Sequence, residues 1–291
     1  MTTTPPPWLD TTEYPFTPRF FDLEEGRMHY IDEGKGRPIV FVHGTPTWSF
    51  EWRHLVKALS SQYRCLAPDH LGFGLSDKPT GIDYRPEAHA RRFAIWLESL
   101  SLDGITFVLH DFGGPIGLAY GFEHIQNVRS VIALNSWLWN PREEKSLAGG
   151  ARLLANPFGR FLYERVNFEI KVILPAAYGN KRKLTPAVYR HYLAPFDMPP
   201  SRASLFALLC SLLDSSEWFG ELWNRRDALD SKPLLLVWGD SDPVFGLKAL
   251  HRWRDAFPHA ESHTIPNAGH WCHEEEPEQV LSIIAAFLAR T

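Results

Sequence analysis

Short apolar runs alternate along this chain with stretches whose apolar residues recur at helical spacing. Arg19 to Leu23 and Arg27 to Ile31 read as two strands joined through Glu24-Glu25-Gly26, with Gly26 suited to a tight hairpin. Pro38 to Val42, Tyr63 to Ala67, Ile105 to Leu109 and Val128 to Leu134 read as further strands. Helical patterns fall between them at Ser49 to Ser60 and Pro86 to Leu100, and from Pro115 to about His124; Pro86 suits a first helical turn. Strand and helix in alternation predict a mostly parallel sheet covered on both faces.

The alternation stops at about Trp137. From there to Asp230 no segment reads as a strand, and helical patterns at Leu147 to Leu162, Pro186 to Leu193, Arg202 to Leu213 and Trp218 to Trp223 are separated by Pro and Gly. The alternation resumes with a strand at Pro233 to Trp238, a helix at Leu247 to Phe257 and a strand at Ser262 to Ile265. An amphipathic helix, Pro277 to Ala289, follows. The expected organisation is an N-terminal extension (1–17), an α/β core (18–136 and 231–291) and a helical cap (137–230). Open α/β sheets bind ligands at the carboxyl ends of their strands. A cap over that edge would enclose a pocket.

The residues just past each strand therefore carry the candidate chemistry. Val108-Leu109-His110-Asp111-Phe112-Gly113-Gly114 runs from strand to helix through a corner with glycine just beyond it. This is the nucleophile-elbow pattern, with aspartate where serine is common. A carboxylate there suits displacement at carbon better than ordinary acyl transfer. Asp242 follows the next-to-last strand and His270 the last. Each has an ordinary alternative role: Asp111 as a helix cap, Asp242 as a turn former, His270 as a loop histidine. Together they follow the chain order nucleophile, acid, histidine expected of an α/β-hydrolase. Asp240 competes with Asp242 as the acid that orients the histidine. Main-chain N–H groups of Thr45, in the loop His43-Gly44-Thr45-Pro46, and of Phe112 are the candidate oxyanion donors.

Composition narrows the function classes. The 11 Trp, 19 Phe and 9 Tyr point to a thick core or an apolar pocket. A net charge of -4 without a basic stripe argues against nucleic-acid binding. Lys181-Arg182-Lys183 and Glu274-Glu275-Glu276 read as solvated surface blocks. Cys65, Cys210 and Cys272 are too widely spaced for a metal-ligand cluster and imply a reducing compartment. The first residues lack the basic and apolar regions of a signal peptide, and no apolar run spans a bilayer. A cytoplasmic protein that binds no membrane is expected. The oligomeric state stays open.

The stretches HGTPTW (His43 to Trp48), APDHLGFGLSDKP (Ala67 to Pro79), HDFGG (His110 to Gly114), WGDSDPVF (Trp238 to Phe245) and NAGHW (Asn267 to Trp271) carry a family likeness. From about Pro18 the chain resembles the haloalkane dehalogenase and epoxide hydrolase branch of the α/β-hydrolases. Its wording is closer to the dehalogenases. The resemblance implies an eight-stranded sheet, a helical cap and a buried apolar pocket. It also implies hydrolysis of a small apolar electrophile by water through an ester on Asp111, with no metal or cofactor. Dehalogenases usually carry Trp directly after the nucleophile, and Asn in the HGxP loop or a second Trp from the cap, to hold the leaving halide. This chain has Phe112 and Thr45 at those places. Substitute indole donors are Trp48, Trp137 and Trp139. For an epoxide or small lactone, the donors implied are cap tyrosines: Tyr178, Tyr189 and Tyr192, with Tyr163 a weaker candidate. A third reading, a ligand-binding protein on a hydrolase scaffold, leaves the complete Asp111, Asp242, His270 set without a purpose.

Overall fold

Eight strands form one sheet in the order β1-β2-β4-β3-β5-β6-β7-β8. They are β1 (Arg19–Leu23), β2 (Gly26–Glu33), β3 (Pro38–Val42), β4 (Arg64–Pro68), β5 (Ile105–Asp111), β6 (Val128–Ser136), β7 (Leu234–Gly239) and β8 (Glu261–Ile265). The computed structural model describes residues 5–291, so the first four residues of the expected N-terminal extension lie outside the described residues. β1, β2 and β4 pair antiparallel, and the other pairs are parallel. β3, β5 and β7 are buried along their whole length. That is why they read as unbroken apolar runs rather than alternating ones. The chain passes from β3 to β4 on one side of the sheet and returns to β5 on the other. The carboxyl ends of β3 and β5 therefore flank a topological switch point, where open sheets take their ligands.

The helices of the core are α1 (Arg53–Leu59), α2 (Pro86–Ser99) and α3 (Gly113–Glu123), and later α10 (Leu247–Ala256), α11 (Cys272–Glu275) and α12 (Pro277–Leu288). Between β6 and β7 the described residues form helices only: α4 (Lys145–Leu154), α5 (Pro157–Phe161), α6 (Leu174–Ala177), α7 (Pro186–Leu193), α8 (Ala203–Asp214) and α9 (Ser216–Asn224). No described helix is long and apolar enough to cross a membrane.

The structure departs from the sequence expectation in this helical segment. The helix expected at Leu147 to Leu162 is split. Asn156 caps a new helix by accepting from the N–H groups of Phe158 and Gly159, and Pro157 starts it. Two π-helical turns follow, Leu162–Val166 and Glu169–Ile173, with Asn167 in the left-handed conformation (φ 58°) between them. Their i→i+5 bonding does not match the 3.6-residue period, so the sequence pattern misses them. The buried Arg202 guanidinium holds this stretch. It donates to the carbonyls of Phe196 (2.7 Å), Glu164 (2.8 Å) and Asp197 (2.5 Å).

The acidic block Glu274-Glu275-Glu276 is not a solvated surface. Glu275 is fully buried and Glu274 is 8% exposed. Glu274 pairs with Arg53, itself 2% exposed, whose guanidinium also lies 3.9 Å from the Phe50 ring. Breaking such a pair from one side leaves a charge without water or partner. Arg53→Ala is expected to destabilise the fold by about 3–5 kcal/mol, read as a shift in the urea unfolding midpoint. An unshifted midpoint would show that Glu274 is neutral or rehydrated in the variant.

Candidate active site

β5 runs two residues past its apolar stretch, and its last residue, Asp111, pairs with Ser136 of β6 after a one-residue register shift. Asp111 adopts φ 49°. Such a left-handed conformation costs a non-glycine residue on the order of 1–3 kcal/mol and persists only where its surroundings enforce it. Here the Ser136 hydroxyl donates to the Asp111 carbonyl at 2.6 Å. The corner is also crowded. A Cβ on Gly113 would lie 2.0 Å from the Val42 carbonyl oxygen, so only glycine lets α3 start this close to β3. Gly117, one turn into α3, faces Leu109. Its missing side chain makes room for a residue that is large for the strand below an elbow.

The Asp111 carboxylate sits at the N-terminus of α3, where the helix dipole favours negative charge. Its Oδ1 accepts the Phe112 N–H. Gly44, in the loop after β3, backs directly onto it: a Cβ there would lie 2.5 Å from Asp111 Cβ. Among the described residues, Thr45 makes no hydrogen bond to Asp111. Its hydroxyl donates instead to Glu169 Oε1 at 2.9 Å.

His270 Nε2 lies 3.2 Å from Asp111 Oδ2, and its Nδ1 donates to Asp242 Oδ2 at 2.9 Å. Asp242 Oδ2 also accepts from Asn135 Nδ2 (2.7 Å), and its Oδ1 accepts the Val244 N–H (2.7 Å). Asp240 has a different place. It is exposed and accepts the Asn267 N–H, closing the loop that carries the histidine. Glu275 fixes that loop from below by accepting the N–H groups of Gly269, Gly179 and Asn180. It thereby ties the imidazole to the helical segment. His110 Nε2 donates to the His270 carbonyl at 3.0 Å.

Burial alone would lower the His270 pKa. The charge of Asp242 and the bonds to Asp111 and Asp242 override it and raise the imidazole to about 10. For Asp242, burial works upward, but the His270 charge and its hydrogen bonds hold the carboxyl below its ordinary value. The resting site is an imidazolium between two carboxylates.

Asp111 and His270 face a cavity of about 140 Å³. A cavity of about 150 Å³ in another protein holds benzene, which sets the size of guest. Its wall is mostly apolar: Leu147, Ile173, Leu209, Leu212, Val244 and Phe245 take part. Glu169, Tyr163 and Trp271 are on it as well. Among the described residues one cluster could offer three ligands to a metal: Glu51, His110 and His273, with ligand atoms within 4.8 Å of one another. Burial works to raise the Glu51 carboxyl, and its two imidazole neighbours hold it below the usual range. Burial pushes the His273 imidazole of this cluster down to about 4, so the ring is neutral at neutral pH.

The family model of the alpha/beta hydrolase fold matches residues 37–277. "Haloalkane dehalogenase 2" of Mycobacterium tuberculosis is 36% identical over 97% of this chain and 96% of its own length. The chain belongs to the α/β-hydrolases, in their haloalkane dehalogenase family. A "cis-3-alkyl-4-alkyloxetan-2-one decarboxylase" of Shewanella oneidensis is 33% identical over 97% of this chain and 91% of that protein. The crystal structure of the haloalkane dehalogenase DatA from Agrobacterium tumefaciens C58 superposes with a TM-score of 0.85. It is 27% identical and covers 94% of this chain and 96% of that one.

Within this dehalogenase-family site, Trp48, Trp137, Trp139 and Tyr178 do not line the cavity. The Trp48 N–H is committed to the His191 carbonyl at 2.9 Å. Trp137 stacks on Phe245 and lies edge-on to Phe112, one layer behind the wall. Trp139 packs against Trp223 and Trp253 beneath Arg252. Tyr178 stacks on the outer side of Trp271, and burial keeps its hydroxyl well above the ordinary tyrosine range. The Tyr189 hydroxyl reaches the Ile170 carbonyl, and Tyr192 is off the cavity wall. Tyr163, the weakest candidate by sequence, is the tyrosine on the wall.

Two wall residues escaped the sequence reading. Trp271 directly follows the histidine and has an indole N–H without a partner. Glu169 is a lone acid before the apolar run Val172-Ile173-Leu174, and that isolation was its one signal. Burial raises its carboxyl to about 8, the Thr45 bond opposing and the Asp111 charge adding to the shift.

Proposed function

We propose that this protein hydrolyses small haloalkanes through a covalent ester on Asp111. The observation that carries this reading is an aspartate on the elbow, at the edge of an apolar cavity, with His270 Nε2 3.2 Å away. Asp111 Oδ2 attacks the halogen-bearing carbon, the carbon–halogen bond breaks, and an alkyl ester results. Trp271, with its free N–H, is the wall residue best suited to receive the halide. Ester formation removes the negative charge of Asp111, one of the causes of the high His270 pKa. The imidazole then gives up its proton to solvent and becomes the base for water. Water attacks the Asp111 carboxyl carbon. The oxyanion forms at Oδ1, which the Phe112 N–H already holds, with Thr45 N–H as the second donor. Asp242 orients the imidazole throughout.

In this reading 137–230 acts as a cap on the core 18–136 and 231–291. Three free cysteines, two of them buried, support a reducing setting such as the cytoplasm. A second reading, opening of a small epoxide or lactone, is supported by Glu169 and Tyr163 on the wall. The test is bromide release from a panel of short bromoalkanes. We expect turnover of chains of about four carbons, near the size the cavity admits. Absence of bromide release across the panel contradicts the haloalkane reading.

A further inference from the structure

Glu169 is the second acid on the cavity wall, and the halide mechanism gives it nothing to do. It is 6% exposed. The Thr45 hydroxyl donates to Oε1, and Oε2 has no partner. No salt bridge reaches it among the described residues, and the cation on the wall, His270, is already flanked by Asp111 and Asp242. A buried carboxyl with no counter-charge keeps its proton. Because Thr45 donates to Oε1, the proton belongs on Oε2. The groups around it are the Thr45 hydroxyl, Asp111 and His270 at the ends of the strands, and Tyr163 from the helical segment. Its backbone is held in place by the π-helical turn and by the side chain of Asn167, which donates to the Phe196 carbonyl at 3.1 Å.

We infer that Glu169 is a catalytic acid that protonates an oxygen leaving group as Asp111 attacks, so that the site opens small strained cyclic ethers. The inference rests on the reading of Asp111 as nucleophile. A halide departs as a stable anion and needs no proton. A ring oxygen departs as a strongly basic alkoxide and does. Asp111 Oδ2 forms a bond to a ring carbon while the ring carbon–oxygen bond breaks. The Glu169 Oε2 proton goes to the freed oxygen. The products are a hydroxyalkyl ester of Asp111 and a Glu169 carboxylate. With the Asp111 charge removed by the ester, His270 loses its proton to solvent. It then takes a proton from water, and the hydroxide adds to the ester carbonyl. The departing diol oxygen takes the proton back from His270. Asp111, regenerated as the acid, loses its proton to solvent, and Glu169 and His270 each regain one. The sum is ether plus water to diol.

The test compares 1,2-epoxybutane with 1-bromobutane on the full-length protein. Wild-type protein is expected to form diol from the first and bromide from the second. Glu169→Gln should lower diol formation by at least about 100-fold, the usual worth of a general acid, and by a larger factor than it lowers bromide release. Should the variant misfold, the wild-type pH profile still decides. Diol formation falls as pH rises past about 8, and bromide release lacks that limb. Undiminished diol formation in Glu169→Gln overturns the inference, as does a wild-type protein that releases bromide but forms no diol at any pH. A wild-type protein that forms neither product and leaves Asp111 unmodified overturns the Asp111 reading itself.

Discussion

Asp111→Ala eliminates turnover of every substrate, by about 10⁴-fold or more, the scale on which nucleophile deletions act. The carboxylate supplies the atom that bonds to carbon, and among the described residues no second nucleophile stands in its place. Glu169 lies on the same wall but keeps its proton at neutral pH. The backbone corner is built for this position: Gly113, Gly44 and the Ser136 hydroxyl crowd a left-handed residue whose conformation has no other evident use. Steady-state bromide release measures the loss. Retention of a tenth or more of wild-type activity, by the same scale, would place the reacting group elsewhere.

His270→Gln arrests the reaction after its first step. The variant should release one equivalent of bromide and stop, with the alkyl group left on the peptide that contains Asp111. The reason is electrostatic. The imidazole is held near a pKa of 10 while both carboxylates are charged, and ester formation cancels one of them. No other described base adjoins the ester. The same shift predicts a stability effect. A histidine whose folded pKa is raised stabilises the fold fully below its ordinary value of about 6.5. That stabilisation is lost as pH rises through about 10. Urea unfolding between these limits should show wild-type stability falling with pH, and a flatter profile in His270→Gln. Continued turnover in the variant would remove His270 from the water-activating step.

The central strands were legible because they are buried on both faces. Val40-Phe41-Val42 and Leu235-Leu236-Val237 have no polar residue to interrupt them. Asp111, Asp242 and His270 were legible because strand ends expose few polar side chains, and their order along the chain carries information of its own. What stayed hidden depends on who sits opposite whom. Glu274 and Glu275 look like surface charges until Arg53 and the Gly269 N–H are brought to them by the fold. Trp48 looks like a free donor until its N–H is seen on the His191 carbonyl. Glu169 lies in a π-helical turn, where helical periodicity does not say which way a residue faces.

The covalent ester is tested most directly by a single turnover in water enriched in heavy oxygen, with the protein in excess over 1-bromobutane. If Asp111 bonds to the substrate and water attacks its carboxyl carbon, the alcohol leaves with an ordinary oxygen, and the Asp111 peptide gains the label. Label in the alcohol of that first turnover, with Asp111 unlabelled, would mean that water attacks the substrate directly and that Asp111 never forms the bond.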